Sequence, residues 1–208
     1  MCASYGLSGS GKRIELPDGL EPMDDRDSQA LLSEWMEQQS GNAKITGKNA
    51  LNLNPIIRAN ESGKRELLMA WWWLWFSGVG PNKFSSFNSR DDKLLGPWKG
   101  AFQHRAILPA DWYVEKGGKF HLPDHAPFGV AAVTSTVKRD DGSELVTYSM
   151  VTRDSVGEAA EYHPRMPLVL PQDIYREWLD PERAGDESLV SEVQHGSDEI
   201  SRALTAAT

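Results

Sequence analysis

The chain has 208 residues, 39% hydrophobic and 25% charged, enough to bury one substantial core in a single domain spanning 1–208. A formal net charge of −8 argues against bulk electrostatic binding of nucleic acid, so any such site has to be a local basic and aromatic groove. A lone cysteine excludes an internal disulfide framework and suits a reducing compartment; with no apolar leader, and a longest apolar run (residues 67–76) about half the ~20 residues a bilayer span needs, a cytoplasmic protein with no membrane partner is expected.

The first informative element is the start itself, Met1-Cys2-Ala3-Ser4-Tyr5. Initiator methionine is trimmed when a small residue follows, and the mature chain would then begin with Cys2 as a 1,2-aminothiol. Its amine titrates near ~8 and an unperturbed thiol near ~8.5, so both are expected to be partly deprotonated at neutral pH, and a nearby ammonium lowers the thiol further. Such a group condenses with aldehydes: the amine forms a Schiff base and the thiolate closes onto it as a thiazolidine. Just downstream, Gly6-Leu7-Ser8-Gly9-Ser10-Gly11-Lys12 matches most of a phosphate-binding loop. Arg13, however, replaces the required Ser or Thr and no room is left for the preceding strand, so a flexible loop is predicted.

Next, Ser28 is placed to cap a helix with Leu31, Leu32, Trp35 and Met36 on one face and Gly41 as its stop. Residues 67–76 read as a buried strand. Residues 107–114, the turn 116–119 and residues 120–122 read as strand, turn, strand, and residues 130–137 and 145–151 flank a hairpin turn at 139–142. Short helices are predicted over 155–162 and 171–179, and the acidic stretch 180–199 as a peripheral, solvated helix and loops. This is an α+β pattern. His121 and His125 have a metal-like spacing, but Leu122-Pro123 disfavours a helix and no further cluster completes a site, so no metal is expected.

Three segments carry chemistry. Asn88 and Arg90 share a face if their segment is extended. Glu115 ends an apolar, aromatic strand, where desolvation favours a general acid. His163 titrates near neutrality two residues before the permanent cation Arg165.

Taken in order, these pieces resemble the SRAP (SOS response-associated peptidase) family, whose members shield abasic sites in single-stranded DNA by covalent crosslinking. The resemblance rests on Met1-Cys2, Asn52-Leu53-Asn54-Pro55, Asn88-Ser89-Arg90, Leu108-Pro109-Ala110-Asp111 through Glu115, the run from His163 to Leu170, Trp178-Leu179 and Ile200-Ser201-Arg202. Ser4 and Ala70 stand where the family carries arginines, Trp112 replaces a glycine, Lys116 a common tryptophan, and the register of the tryptophan run 71–75 is open. The resemblance implies curved antiparallel sheets forming a barrel-like core with helices around it, in a monomer without a cofactor. It implies that the Cys2 amine attacks C1′ of the abasic sugar, with His163 assisting ring opening, Glu115 transferring protons and Asn88 positioning the sugar or the amine. Arg90 and Arg165 would hold flanking phosphates, Trp71, Asn52 and Pro55 would lie on the DNA path, and Lys12, Arg13, Lys64 or Arg65 would replace the missing arginines. Two other readings stay open: a thiol (auto)peptidase with Cys2 as nucleophile and His163 as base, and a non-catalytic single-stranded DNA binder.

Overall fold

Valine and alanine from Val130 to Val133 favour extended chain, and this stretch meets a second one across a tight turn in which the Arg139 amide donates to the Ser143 carbonyl and Gly142 takes φ +81°. The computed structural model describes residues 2–9, 14–20, 26–48, 50–76 and 80–207. Its strands are β1 (Ser4–Gly6), β2 (Asn42–Lys44), β3 (Leu53–Ala59), β4 (Arg65–Trp71), β5 (Asn88–Arg90), β6 (Arg105–Ala110), β7 (Trp112–Glu115), β8 (Gly118–His121), β9 (Phe128–Lys138), β10 (Glu144–Asp154), β11 (Arg165–Pro167), β12 (Val169–Leu170) and β13 (Thr205–Ala207). Its helices are α1 (Arg26–Gln39), α2 (Ala159–Tyr162), α3 (Tyr175–Leu179) and α4 (Glu187–Arg202).

Strands β10, β4, β3, β6 and β9 close into a barrel, because β10 pairs with β9 along its first half and also with β4 through Thr147 and Trp71. Ile56, Ile57, Ile107, Leu108, Tyr148 and Met150 belong to its core. From Phe128 to Thr134 both faces of β9 are buried, since the barrel interior takes one face and packed helices cover outer faces. A second, five-stranded sheet runs β13-β8-β7-β1-β2. The α+β class is thus as the sequence pattern implies, and the barrel-like core in one compact domain is as the resemblance implies.

Several element boundaries differ from expectation, each for a local reason. The stretch 107–114 is two strands, not one. At Asp111 the chain leaves the barrel for the second sheet, and the Asp111 carboxylate accepts from the Ser8 amide (2.7 Å) and hydroxyl (3.1 Å) while its own amide donates to the Gly6 carbonyl (2.8 Å). Gly6 therefore lies in a strand, and a Cβ there would sit 1.9 Å from the Gly41 carbonyl oxygen. The run 67–76 leaves the sheet after Trp71, where the Trp73 amide turns back onto the Trp71 carbonyl. Ser28 lies inside α1 and is buried, and Leu31 faces outward; the helix stops where Ser40 and Gly41 take φ +53° and +65°. Helix α2 begins only at Ala159, and the acidic C-terminal stretch is no loose appendage, because Leu189 and Val193 of α4 are fully buried in its packing on β12. The turn Lys116-Gly117, with φ +45° and +88°, has the hairpin geometry that sets Glu115 opposite Gly118.

Candidate active site

Cys2 precedes β1, which lies between β2 and β7. The antiparallel register pairs Ser4 with Val114, so one step further places Glu115 beside Ala3 and next to Cys2. Asn88 comes from the barrel side, on β5, which runs parallel to β10 with Asn88 opposite Met150. Its Nδ2 donates to the Cys2 carbonyl at 2.8 Å, a bond that ties the second sheet to the barrel at the candidate nucleophile. Asn88 Oδ1 is buried and accepts no hydrogen bond among the described residues.

His163 closes α2, with its amide on the Ala159 carbonyl and its Nδ1 3.0 Å from both the amide and the carbonyl of Arg165. Tyr162 stands edge-on to Phe120 at 5.1 Å, and its ring fills the space that a Cβ on Gly118 would need. Gly118 is the strand partner of Glu115, so Tyr162 pins the end of α2 over the Glu115 turn, with His163 the next residue. Glu115 is buried. Cys2, Asn88 and Glu115 thus converge directly, while His163 is linked to them only through its neighbour Tyr162, which packs on the strand paired with Glu115.

The floor of the site is aromatic. Tyr5 and Tyr148 share a hydrogen bond of 2.7 Å between their hydroxyls, and Trp72 stacks on Tyr148 at 6.0 Å and meets Tyr5 edge-on at 4.9 Å. Asn54 accepts from Trp35 Nε1 at 3.4 Å and donates to the Asn52 carbonyl at 3.1 Å. The sequence assigns no role to Tyr5, Tyr148 or Asn54; Tyr5, three residues after Cys2, is the one with a local signal.

The Cys2 environment corrects one expectation. The thiol is buried, donates to the Ser4 carbonyl at 3.4 Å, and is pushed up to about 12, mainly by burial and further by the Glu115 charge. Burial thus favours the protonated thiol in the chain that carries Met1, against the partial ionisation expected of an unperturbed thiol.

Three proposed DNA contacts also change. The Arg165 guanidinium is buried against Asp91 (2.7 Å), Asp154 (2.7 Å) and the Thr152 carbonyl, and Gln194 braces Asp91 at 2.8 Å, so Arg165 is a structural staple with no face for a phosphate. Trp71 is buried edge-on to Trp75 in a small cluster with Trp73, Val137 and Leu145, and offers no ring to a base. Pro55 is buried in β3 opposite Met69. Asn52 donates to the Lys44 carbonyl and lines a groove of about 330 Å³ between α1 and β3. Arg90 alone of the set is exposed, and it forms a fork onto Asp92 with two bonds of 2.8 Å. Arg65 donates to the Gly19 carbonyl, Lys64 is exposed in the β3–β4 turn, and Met1, Lys12 and Arg13 lie outside the described residues.

His121 and His125 touch at 4.3 Å, and His121 Nδ1 lies 3.0 Å from the Asp111 carbonyl. Among the described residues no group of three or more His, Cys, Asp or Glu is disposed to hold a metal, and no helix is long and apolar enough to cross a membrane.

The fold is shared with solved structures of low identity. A protein from Bacteroides thetaiotaomicron superposes with a TM-score of 0.67 at 18% identity, covering 99% of this chain and 90% of that one. A Bordetella bronchiseptica protein gives 0.64 at 18% over 99% and 98%, and a phage-related protein from the same organism 0.63 at 17% over 99% and 94%. No curated protein matches the chain. The family profile described as SOS response associated peptidase (SRAP) matches residues 12–205, beginning after Cys2, so the part played by Cys2 rests on its geometry. With that match over nearly its whole length, the chain belongs to the SRAP family.

Proposed function

We propose that the protein acts on abasic sites in single-stranded DNA and forms a covalent crosslink through Cys2 once Met1 is removed. The observation that carries this reading is the 2.8 Å bond from Asn88 to the Cys2 carbonyl, beside Glu115: Cys2 is held against polar groups from both sheets. The Cys2 amine attacks C1′ of the open-chain sugar, and the carbinolamine loses water to give the Schiff base. The sulfur then adds to the same carbon and the electron pair of the C=N bond returns to nitrogen. His163 assists opening of the ring, and Glu115 carries protons to the departing oxygen and away from the sulfur. Asn88, whose Oδ1 accepts no hydrogen bond among the described residues, positions the sugar or the amine. If the ring does not close, the Schiff base proceeds by β-elimination to strand cleavage. No cofactor enters these steps, and the protein works as a monomer in the cytoplasm.

Arg90 supplies the phosphate contact, exchanging Asp92 for the DNA backbone. Arg165, Trp71 and Pro55 are left out of the DNA path because their burial leaves nothing to offer.

The test is incubation of protein that begins at Cys2, verified by intact mass, with a single strand carrying one abasic site, followed by a denaturing gel. A heat-stable slow band with the native chain, lost in Cys2→Ala, is expected. No band from a chain that starts at Cys2, or a stable band from Cys2→Ala, overturns the reading.

A further inference from the structure

The five-stranded sheet has one buried face and one open face. Tyr5, Ala43, Tyr113 and Phe120 are fully buried in the core shared with the barrel. On the opposite face the register sets Lys44, Ser4, Val114 and Lys119 in one row across four strands, with both lysines exposed and about 14 Å apart. Trp112, two residues before Val114, shares this open face. It belongs to neither hydrophobic cluster of the described residues. Its ring passes over Gly6, where a Cβ would come within 2.6 Å of it, and the Lys119 ammonium covers the ring at 4.4 Å from its centroid. No hydrogen bond or ion pair among the described residues holds that ammonium in place. Trp71 is closed in by rings and aliphatic side chains of its own cluster, whereas Trp112 is covered by the end of a flexible chain.

We infer that Trp112 is a base-stacking subsite for single-stranded DNA on the open face of the second sheet, with Lys119 as its exchangeable cover. A phosphate draws the ammonium off the ring, and a base of the same strand takes its place on the indole. Every base has a π face that an indole accepts without regard to sequence, and such stacking exceeds what an exposed ammonium gains over the same ring. Charge favours a nucleic-acid strand over an acid-seeking or neutral surface: in a chain of net charge −8, the rows through Val114 and Trp112 carry two lysines and no carboxylate. Position favours it too. Trp112 opens β7 and Glu115 closes it, about 10 Å further along, so one strand can rest on the indole and present a sugar at Cys2. The subsite rests on the proposed action on single-stranded DNA and carries the DNA path from Arg90 on the barrel side to the second sheet.

The probe is a fluorescein-labelled oligothymidylate without abasic sites, which cannot crosslink, titrated with protein and read by anisotropy at several salt concentrations. Trp112→Leu keeps apolar bulk and removes the π face, while Trp112→Phe keeps a face; circular dichroism checks that both fold. Trp112→Leu should bind at least about fivefold more weakly with the native salt slope, and Trp112→Phe within about threefold of the native chain. Lys119→Ala should lower the salt slope by about 0.7, the share of one phosphate contact. Quenching of tryptophan emission by the unlabelled strand should be smaller in Trp112→Phe than in the native chain. Native-like affinity of folded Trp112→Leu, an equal loss in Trp112→Leu and Trp112→Phe, or no binding by the native chain overturns the inference, whatever an abasic strand shows. If Trp112→Leu does not fold, equal quenching in the native chain and Trp112→Phe overturns it. The expected losses on the undamaged strand, with no adduct on an abasic one, support the subsite and discard the crosslinking instead.

Discussion

Replacing Cys2 by serine should change how stability depends on pH, and the size of the change follows from the burial of the thiol. The group moves from an ordinary 9.0 to about 12 on folding, so the folded chain holds the thiol proton more tightly than the unfolded one. Its contribution is complete below pH 9 and is lost as pH rises toward 12, because the unfolded chain ionises first. At about pH 10 the unfolded thiol is some tenfold more ionised than protonated and the folded one hardly ionised, a loss of about 1.4 kcal/mol. Tyr5, Tyr113, Tyr148 and Tyr175 are also raised by burial and add to alkaline loss above their ordinary range, so the informative interval ends near their ordinary 10.0. Urea unfolding at about pH 8 and pH 10 should show the native chain losing about 1.4 kcal/mol more than Cys2→Ser, with the same denaturant slope in both. Equal losses would mean that the thiol is not held neutral by burial, and the account of a sulfur that must be deprotonated late would go with it.

Asp91→Asn removes the buried carboxylate facing Arg165 and should destabilise the fold by about 3–5 kcal/mol, whereas Asp154→Asn, at the exposed end of the same guanidinium, should cost less than about 1 kcal/mol. Comparable losses in denaturant titrations would contradict the asymmetry of that network. Arg90→Ala should weaken single-stranded DNA binding and reduce its salt slope by about 0.7, while Asp92→Ala, by releasing Arg90, should tighten it; a slope unmoved in both variants refutes the phosphate role. Gly6→Ala should give insoluble or unfolded protein by circular dichroism, because its Cβ would collide with the Gly41 carbonyl oxygen at 1.9 Å and the Trp112 ring at 2.6 Å.

The hairpin of β9 and β10, the α1 face around Leu32 and Trp35 and the convergence of Asn88, Glu115 and Cys2 were readable because each is carried by local pattern or by residue order. What escaped depends on distant partners. Asp111 breaks an apparently continuous strand because Ser8, more than a hundred residues earlier, occupies its carboxylate. Within the tryptophan run, hydrophobicity alone cannot tell that Trp72 enters the site floor while Trp71 and Trp73 join a separate cluster. Arginine two residues after His163 reads as a phosphate ligand until Asp91 and Asp154, far apart in the chain, are brought against it.

The same fate befalls other arginines, and this sharpens the meaning of the acidic charge. Arg105 is buried and donates to the carbonyls of Trp178, Phe102, Asp180 and Arg183. Arg153 bonds Asp198 and the Gln194 carbonyl, and Arg183 bonds Glu177 and Asp186. These guanidiniums hold elements together, where their planar set of donors satisfies several carbonyls or a carboxylate at once, and they contribute little outward field. The basic surface is therefore smaller than the 22 lysines and arginines of the chain suggest. Long-range attraction of DNA by such a surface is weak; on the proposed function the strand is captured at a few points, and a crosslink at Cys2 would relieve the need for high reversible affinity. On that proposal Arg90, two residues after Asn88 and restrained by one exposed carboxylate, makes the first of those points.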